Sequence, residues 1–273
     1  MLKQRIITAI ILALVVVGTI LGLETEYVAA LFAVVLLISM QEYINLTISK
    51  SKPVQWLSGA VLVVLFYLAL PHVGINYMAY LSYLGLMMWV FILLFMVRYQ
   101  FSGKWSISTR ILICFFSAIL IWICIHGLVF IHQHYEQGGW ILMYVLTLVW
   151  VADIGAYFSG KRFGKTKLAP GISPGKTREG VAGGLVLNGL WITIVYALSD
   201  GWGLDYLPFL FLGLVTAAIS VVGDLYESIL KREAGMKDSG KILPGHGGVL
   251  DRIDSVIAAT PVYLSGLYLL GAV

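Results

Sequence analysis

Every lysine and arginine in this chain lies at the N-terminus or in alternate gaps between long apolar stretches. Nine such stretches can be drawn, over 6–23, 27–46, 54–71, 77–97, 111–131, 140–158, 181–198, 206–230 and 253–272. A helix needs about 20 mostly apolar residues to cross a bilayer, so each stretch is a candidate span. Lys3 and Arg5 precede the first. Lys50 and Lys52 follow the second, and Arg98, Lys104 and Arg110 follow the fourth. The sixth gap holds Lys161, Arg162, Lys165, Lys167, Lys176 and Arg178, and the eighth holds Lys231, Arg232, Lys237, Lys241 and Arg252. The other gaps, "ETE", "PHVGIN", "HQHYEQGG" and "SDGWGLD", hold none. Cytoplasmic loops carry the excess of basic residues. The alternation therefore predicts nine spans, a cytoplasmic N-terminus and a C-terminus on the far side.

A water-soluble domain is excluded. Only 12% of residues are charged, against about 25% in soluble domains, and the mean hydropathy is +0.92. The expected fold is an all-α polytopic membrane protein with about nine transmembrane helices and two long functional cytoplasmic loops. Its expected division is residues 1–139, with five helices, and 140–273, with four helices and the loops 159–180 and 231–252. The first stretch follows "MLKQR" but is long for a signal sequence and lacks a small-residue cleavage site, so it is expected to be a retained helix. Cys114 and Cys124 lie ten residues apart in one stretch, about 15 Å along a helix, and are expected as free buried thiols.

Basic charge alone serves topology, but two loops carry more than topology needs. "SGKRFGKTKLAPGISPGKTREG" mixes its basic residues with glycines, prolines and hydroxyls. Glycine lets backbone N–H groups approach an anion closely, so this loop reads either as a polyphosphate cradle or as an ordinary flexible loop. It lacks the spacing of a Walker loop.

In the eighth gap carboxylates join the basic residues. Asp224, Glu227, Ser228 and Lys231 share one helical face by their i, i+3, i+4, i+7 spacing. Asp251 and Asp254 repeat the i, i+3 spacing at the start of the last stretch. Carboxylates beside phosphate-binding lysines suit a bound cation. Mg²⁺ takes one or two carboxylates and completes its shell with phosphate oxygens and water. The alternative is that these acids only form salt bridges with Lys231, Arg232 and Arg252. Asp153 lies thirteen residues into the sixth stretch, at hydrocarbon depth, where an ionisable group points to a polar cavity.

Other features read as structural. His132 and His134 have no nearby third ligand except Glu136, so no metal is expected there. The aromatic residues suit membrane interfaces and imply no nucleic-acid partner. Asn188 is expected to hydrogen-bond between helices.

The segment Ser228–Asp254, "SILKREAGMKDSGKILPGHGGVLDRID", resembles the signature of the phosphatidate cytidylyltransferases, or CDP-diacylglycerol synthases. Its elements S-x-x-K-R, K-D, P-x-H-G-G and D-R-x-D stand here as Ser228, Lys231, Arg232, Lys237, Asp238, Pro244, His246, Gly247, Gly248, Asp251, Arg252 and Asp254. "SPGKTREG" is similar to the second loop motif of that family. The resemblance implies transfer of CMP from CTP to phosphatidic acid, giving CDP-diacylglycerol and pyrophosphate. It also implies Mg²⁺ with a second cation such as K⁺, a metal site on Asp224, Ser228, Asp251 and Asp254, and a homodimer.

With that reaction, the expected catalytic residues are Asp224, Asp251, Lys231, Arg252 and His246. CTP is expected at Asp153, Lys165, Lys167, Ser173, Lys176, Thr177, Gly247 and Gly248, and the lipid phosphate at Arg232 and Lys237. His246 could donate to pyrophosphate or position Asp251. A bacterial inner membrane, with the active site facing the cytoplasm, is the expected setting. Two other readings stand beside this one: a CTP-dependent lipid kinase, and an anion transporter. Transport is disfavoured because the charges gather at one face and no internal repeat is found.

Overall fold

The computed structural model describes residues 2–99 and 105–272, with side chains from residue 6 onward. Lys104 and the side chains of Lys3 and Arg5, all part of the charge argument, lie outside the described residues.

Among the described residues the chain forms nine α-helices: α1 (Leu2–Gly22), α2 (Thr25–Thr47), α3 (Lys52–Ala69), α4 (Ile75–Arg98), α5 (Ile107–His134), α6 (Gly138–Phe163), α7 (Arg178–Ser199), α8 (Tyr206–Glu233) and α9 (Leu250–Leu269). Each covers one of the apolar stretches, because backbone polar groups in hydrocarbon must be satisfied within the segment. Seven helices, α2 to α8, are long and apolar enough to cross a membrane. The described apolar part of α1 is shorter, Ile6–Gly22, and α9 opens on Asp251, Arg252 and Asp254. The protein is an all-α polytopic membrane protein.

The apolar surface has the distribution such a protein needs. Only 17%, 22% and 17% of the apolar windows in α3, α4 and α7 are buried, against 61% and 56% in α2 and α5. Leu57, Leu68, Phe91, Leu94, Val186 and Leu190 are exposed. Water would not tolerate that apolar area, but lipid would.

The chain folds as two compact units. The first comprises residues 1–74, 102–143 and 229–254, and the second 75–101, 144–228 and 255–273. The division cuts α8 after Ser228 and α9 after Asp254. In the first unit α2 packs against α1, α3 and α5. His132 of α5 fixes the α1–α2 turn, with Nδ1 2.8 Å from Thr25 Oγ1 and Nε2 3.0 Å from the Ile20 carbonyl. Both ring nitrogens of that H-x-H histidine are thus engaged in structure. His134 stacks on Phe130.

In the second unit α6 and α7 approach through small residues. A Cβ on Gly155 would fall 2.8 Å from Gly184 Cα, and one on Gly180 would fall 2.9 Å from the Ala156 carbonyl. Helices pack this closely in lipid only where side chains are small. Trp191 Nε1 donates to Thr147 Oγ1 across the same pair. Asn188 departs from expectation: its Nδ2 donates to the Gly184 carbonyl of its own helix. A Gly184 carbonyl one turn back lies within reach, and a short amide side chain takes it before any neighbouring helix. Cys114 and Cys124 are buried, and neither is in a disulfide.

Candidate active site

The basic loop after α6 is an ordered hairpin. Strand β1 (Lys167–Ala169) pairs antiparallel with β2 (Ser173–Thr177), Lys167 opposite Thr177 and Ala169 opposite Ser173. Pro170 and Gly171 fill the turn, closed by Ile172 N–H donating to the Ala169 carbonyl; proline presets the first central residue. Thr177 caps α7, its hydroxyl accepting from Gly180 N–H at 3.1 Å. Glu179, in the first turn of α7, accepts from Lys165 N–H and Thr166 N–H. Its own backbone N–H, with those of Thr166 and Lys165, holds the carboxyl down at about 2.

These contacts set β2 against the α6–α7 pair. There the second unit contains a cavity of about 360 Å³, lined among others by Asp153, Lys161, Gly175, Lys176, Thr177 and Asp224. That volume lies in the range of small-molecule pockets. Across it Lys176 Nζ sits 2.5 Å from Asp224 Oδ2, with the side chains 24% and 29% exposed. Ser228 Oγ donates to Asp224 Oδ1 at 3.3 Å. Three residues expected at CTP, Asp153, Lys176 and Thr177, thus line one cavity together with Asp224, expected as a catalytic and metal-binding acid. Lys165, Lys167 and Ser173 do not line it. Lys161 does, and sequence reasoning had treated it only as one charge among six; its ammonium lies over the Tyr157 ring.

In the first unit the signature segment wraps around Asp251. Lys231 Nζ reaches Asp251 Oδ1 at 2.7 Å. Oδ2 accepts from Gly248 N–H at 2.8 Å and from both the N–H and the hydroxyl of Ser239 at 3.0 Å. Burial works against ionising Asp251, but the Lys231 ammonium and the N–H donors of Gly248 and Ser239 outweigh it and hold the carboxyl below its usual range. Gly247 has φ +84°, and a Cβ there would lie 2.7 Å from Asp251 Oδ2, so glycine is needed both for the backbone and for the space. Arg252 donates to the His246 carbonyl at 3.0 Å, which ties the backbone of His246, not its ring, to the D-R-x-D turn. Lys237, Lys241 and Lys52 line a second cavity of about 620 Å³ in this unit, with Gln41, Asn45 and Asp238.

The donor set bears on a metal. Among the described residues no three His, Cys, Asp or Glu side chains gather around one point. Asp224 at the cavity and Ser228 bonded to it offer two oxygens, the small protein share that Mg²⁺ accepts. Ammonium groups stand at Asp224 Oδ2 and Asp251 Oδ1, so in this structure both carboxylates are engaged in ion pairs.

The comparisons agree with the two motifs. The model of the cytidylyltransferase family matches residues 3–270. A protein of Haemophilus influenzae is 37% identical over 96% of this chain and 97% of its own length. One of Pseudomonas aeruginosa is 41% identical over 99% and 98%, and one of Bacillus subtilis 32% identical over 95% of each. All three are named phosphatidate cytidylyltransferase. With a near-complete family match and relatives alike from end to end, the chain belongs to the cytidylyltransferase family.

Proposed function

We propose that the protein transfers the cytidylyl group of CTP to phosphatidate, giving CDP-diacylglycerol and pyrophosphate. The observation that carries this reading is the cavity in which Lys176 of "SPGKT" meets Asp224 of α8, in a chain whose relatives are named for that reaction. A phosphate oxygen of phosphatidate attacks the α-phosphorus of CTP, and the bond to the bridging oxygen of the β-phosphate breaks. The nucleophile is already an anion, so no strong base is required. The obstacle is repulsion between two polyanions, and the work of the site is to neutralise charge and align the attack.

The roles follow from where the groups lie. Lys176 and Lys161 offer cationic donors in the cavity for the triphosphate, with Lys165 and Lys167 beside it in sequence on the hairpin side. Arg232, Lys237 and Lys231 are offered to the lipid phosphate, and the cavity lined by Lys237, Lys241 and Lys52 supports anion binding in that unit. Asp224 with Ser228, and Asp251 with Asp254, are the groups proposed to hold Mg²⁺ and a second cation such as K⁺. Bound metal would supply charge neutralisation to the phosphates. Lys176 and Lys231, released from their carboxylates, would then be free to turn to phosphate oxygens.

The setting belongs to the same proposal: a bacterial inner membrane, the active site on the cytoplasmic side, and a homodimer. The alternation of basic gaps supports the orientation, and the bacterial relatives support the membrane. The test is the identity and stoichiometry of the product released from CTP. Purified protein with phosphatidate, Mg²⁺ and CTP should release one pyrophosphate per lipid product; release of CDP instead would make it a lipid kinase.

A further inference from the structure

Glu42, near the end of α2, is a carboxylate whose side chain is 1% exposed. A buried charge must be met by strong partners. Among the described residues those partners are hydrogen-bond donors of the signature segment. Oε2 accepts from Leu250 N–H at 2.8 Å and lies 3.0 Å from the Ser239 hydroxyl, whose one proton it shares with Asp251, and Oε1 accepts from Val249 N–H at 3.2 Å.

The first N–H groups of a helix lack intrahelical acceptors and are usually capped by a Ser, Thr, Asp or Asn side chain just before the helix. The residue before α9 is Val249, which has no acceptor. Glu42 supplies the cap from 208 residues away, and a carboxylate suits the N-terminal end of a helix dipole. Two signature-region glycines are shaped around it. A Cβ on Gly240 or on Gly248 would strike the Glu42 carboxylate. Ser239 links this carboxylate to the other one, since its hydroxyl lies 3.0 Å from both Glu42 Oε2 and Asp251 Oδ2.

We propose that Glu42 is a positioning residue for cytidylyl transfer: reaching from α2, it fixes the Ser239–Val249 segment and the first turn of α9, and so the orientation of Asp251, Arg252 and Asp254. This rests on the function proposed above. The hydrogen bonds of Glu42 among the described residues all run to the Ser239–Leu250 segment, so its loss is expected to act on turnover rather than on CTP binding at Lys176.

The test uses the full chain in detergent. Glu42→Gln keeps the volume but turns an N–H₂ toward groups that are themselves donors. The expected result is a fall in kcat on the order of tenfold or more with KM for CTP within about twofold, together with faster amide hydrogen exchange over residues 238–251. A kcat within about twofold of the parent, or a loss carried wholly by KM for CTP, would overturn the proposal. Gly240→Ala gives a second route should Glu42→Gln fail to fold. It should lower kcat in the parent and cost little in a Glu42→Ala background, since the clash needs both side chains; equal effects in the two backgrounds would contradict it. If the parent itself transfers no cytidylyl group, the function has failed, and the exchange measurement still decides whether Glu42 holds the segment.

Discussion

Lys176 Nζ and Asp224 Oδ2 lie 2.5 Å apart, although 48 positions separate the two residues in sequence. The pair joins the hairpin motif to the carboxylate face of α8 and closes one side of the proposed nucleotide cavity. Asp224→Asn removes the charge while leaving shape and hydrogen-bonding reach. It should lower turnover by about a hundredfold or more, with membrane insertion and thermal stability nearly unchanged. Lys176→Gln should act differently, raising KM for CTP. Steady-state kinetics of the two variants separates these roles, and near-normal activity of Asp224→Asn would remove Asp224 from the site.

Asp251 gathers four hydrogen bonds, from Lys231, Gly248 and two from Ser239. Asp251→Asn leaves one oxygen where two stood and turns an amide N–H₂ toward donors. Turnover should be nearly abolished, and limited proteolysis should cut faster between residues 237 and 249. Proteolysis unchanged from the parent would show that the segment does not depend on this carboxylate.

The α6–α7 contact admits no side chain at Gly184, where a Cβ would fall 2.7 Å from the Ala152 carbonyl. Gly184→Leu should destabilise the protein by about 1–3 kcal/mol and raise KM for CTP, because the same two helices wall the cavity. Thermal unfolding in detergent and CTP kinetics check the two effects together.

Glu179 carries a pH dependence. Its carboxyl is held at about 2 in the fold, below its ordinary 4.5. A depressed folded-state value means the ionised form is favoured by folding. The stabilisation is complete above about 4.5 and is lost as pH falls toward about 2. Glu179→Gln should therefore loosen the Lys165–Thr166 end of the hairpin at neutral pH and flatten the response between those two values. Hydrogen exchange at Lys165 and Thr166, followed against pH, reads it directly.

Much of this was legible before any coordinates, for identifiable reasons. The spans follow from apolar runs that only a membrane helix can satisfy, and the helices begin and end within a few residues of those runs. Asp224 and Lys176 were legible because a carboxylate at a helix end and a lysine among glycines are conspicuous in a greasy chain. Glu42 was not. It sits alone in an apolar stretch, no local spacing points to it, and its partners at Ser239, Val249 and Leu250 lie some 200 residues on. The hairpin was hidden as well. Strands of three and five residues rich in glycine and proline show no alternation, and their order comes from the Thr177 cap and the Glu179 contacts. Lys161 was merged into a topology signal, and only the turn of α6 past the apolar stretch brings it into the cavity.

The most direct measurement follows cytidine-labelled CTP into lipid. Purified protein is given phosphatidate and Mg²⁺, and label is counted in the extracted lipid with and without EDTA. The account predicts that cytidine label enters the lipid fraction, that γ-phosphate label does not, and that chelation stops the transfer. Lipid that gains the γ-phosphate label and no cytidine, or no label at all from protein that still binds CTP, would contradict it.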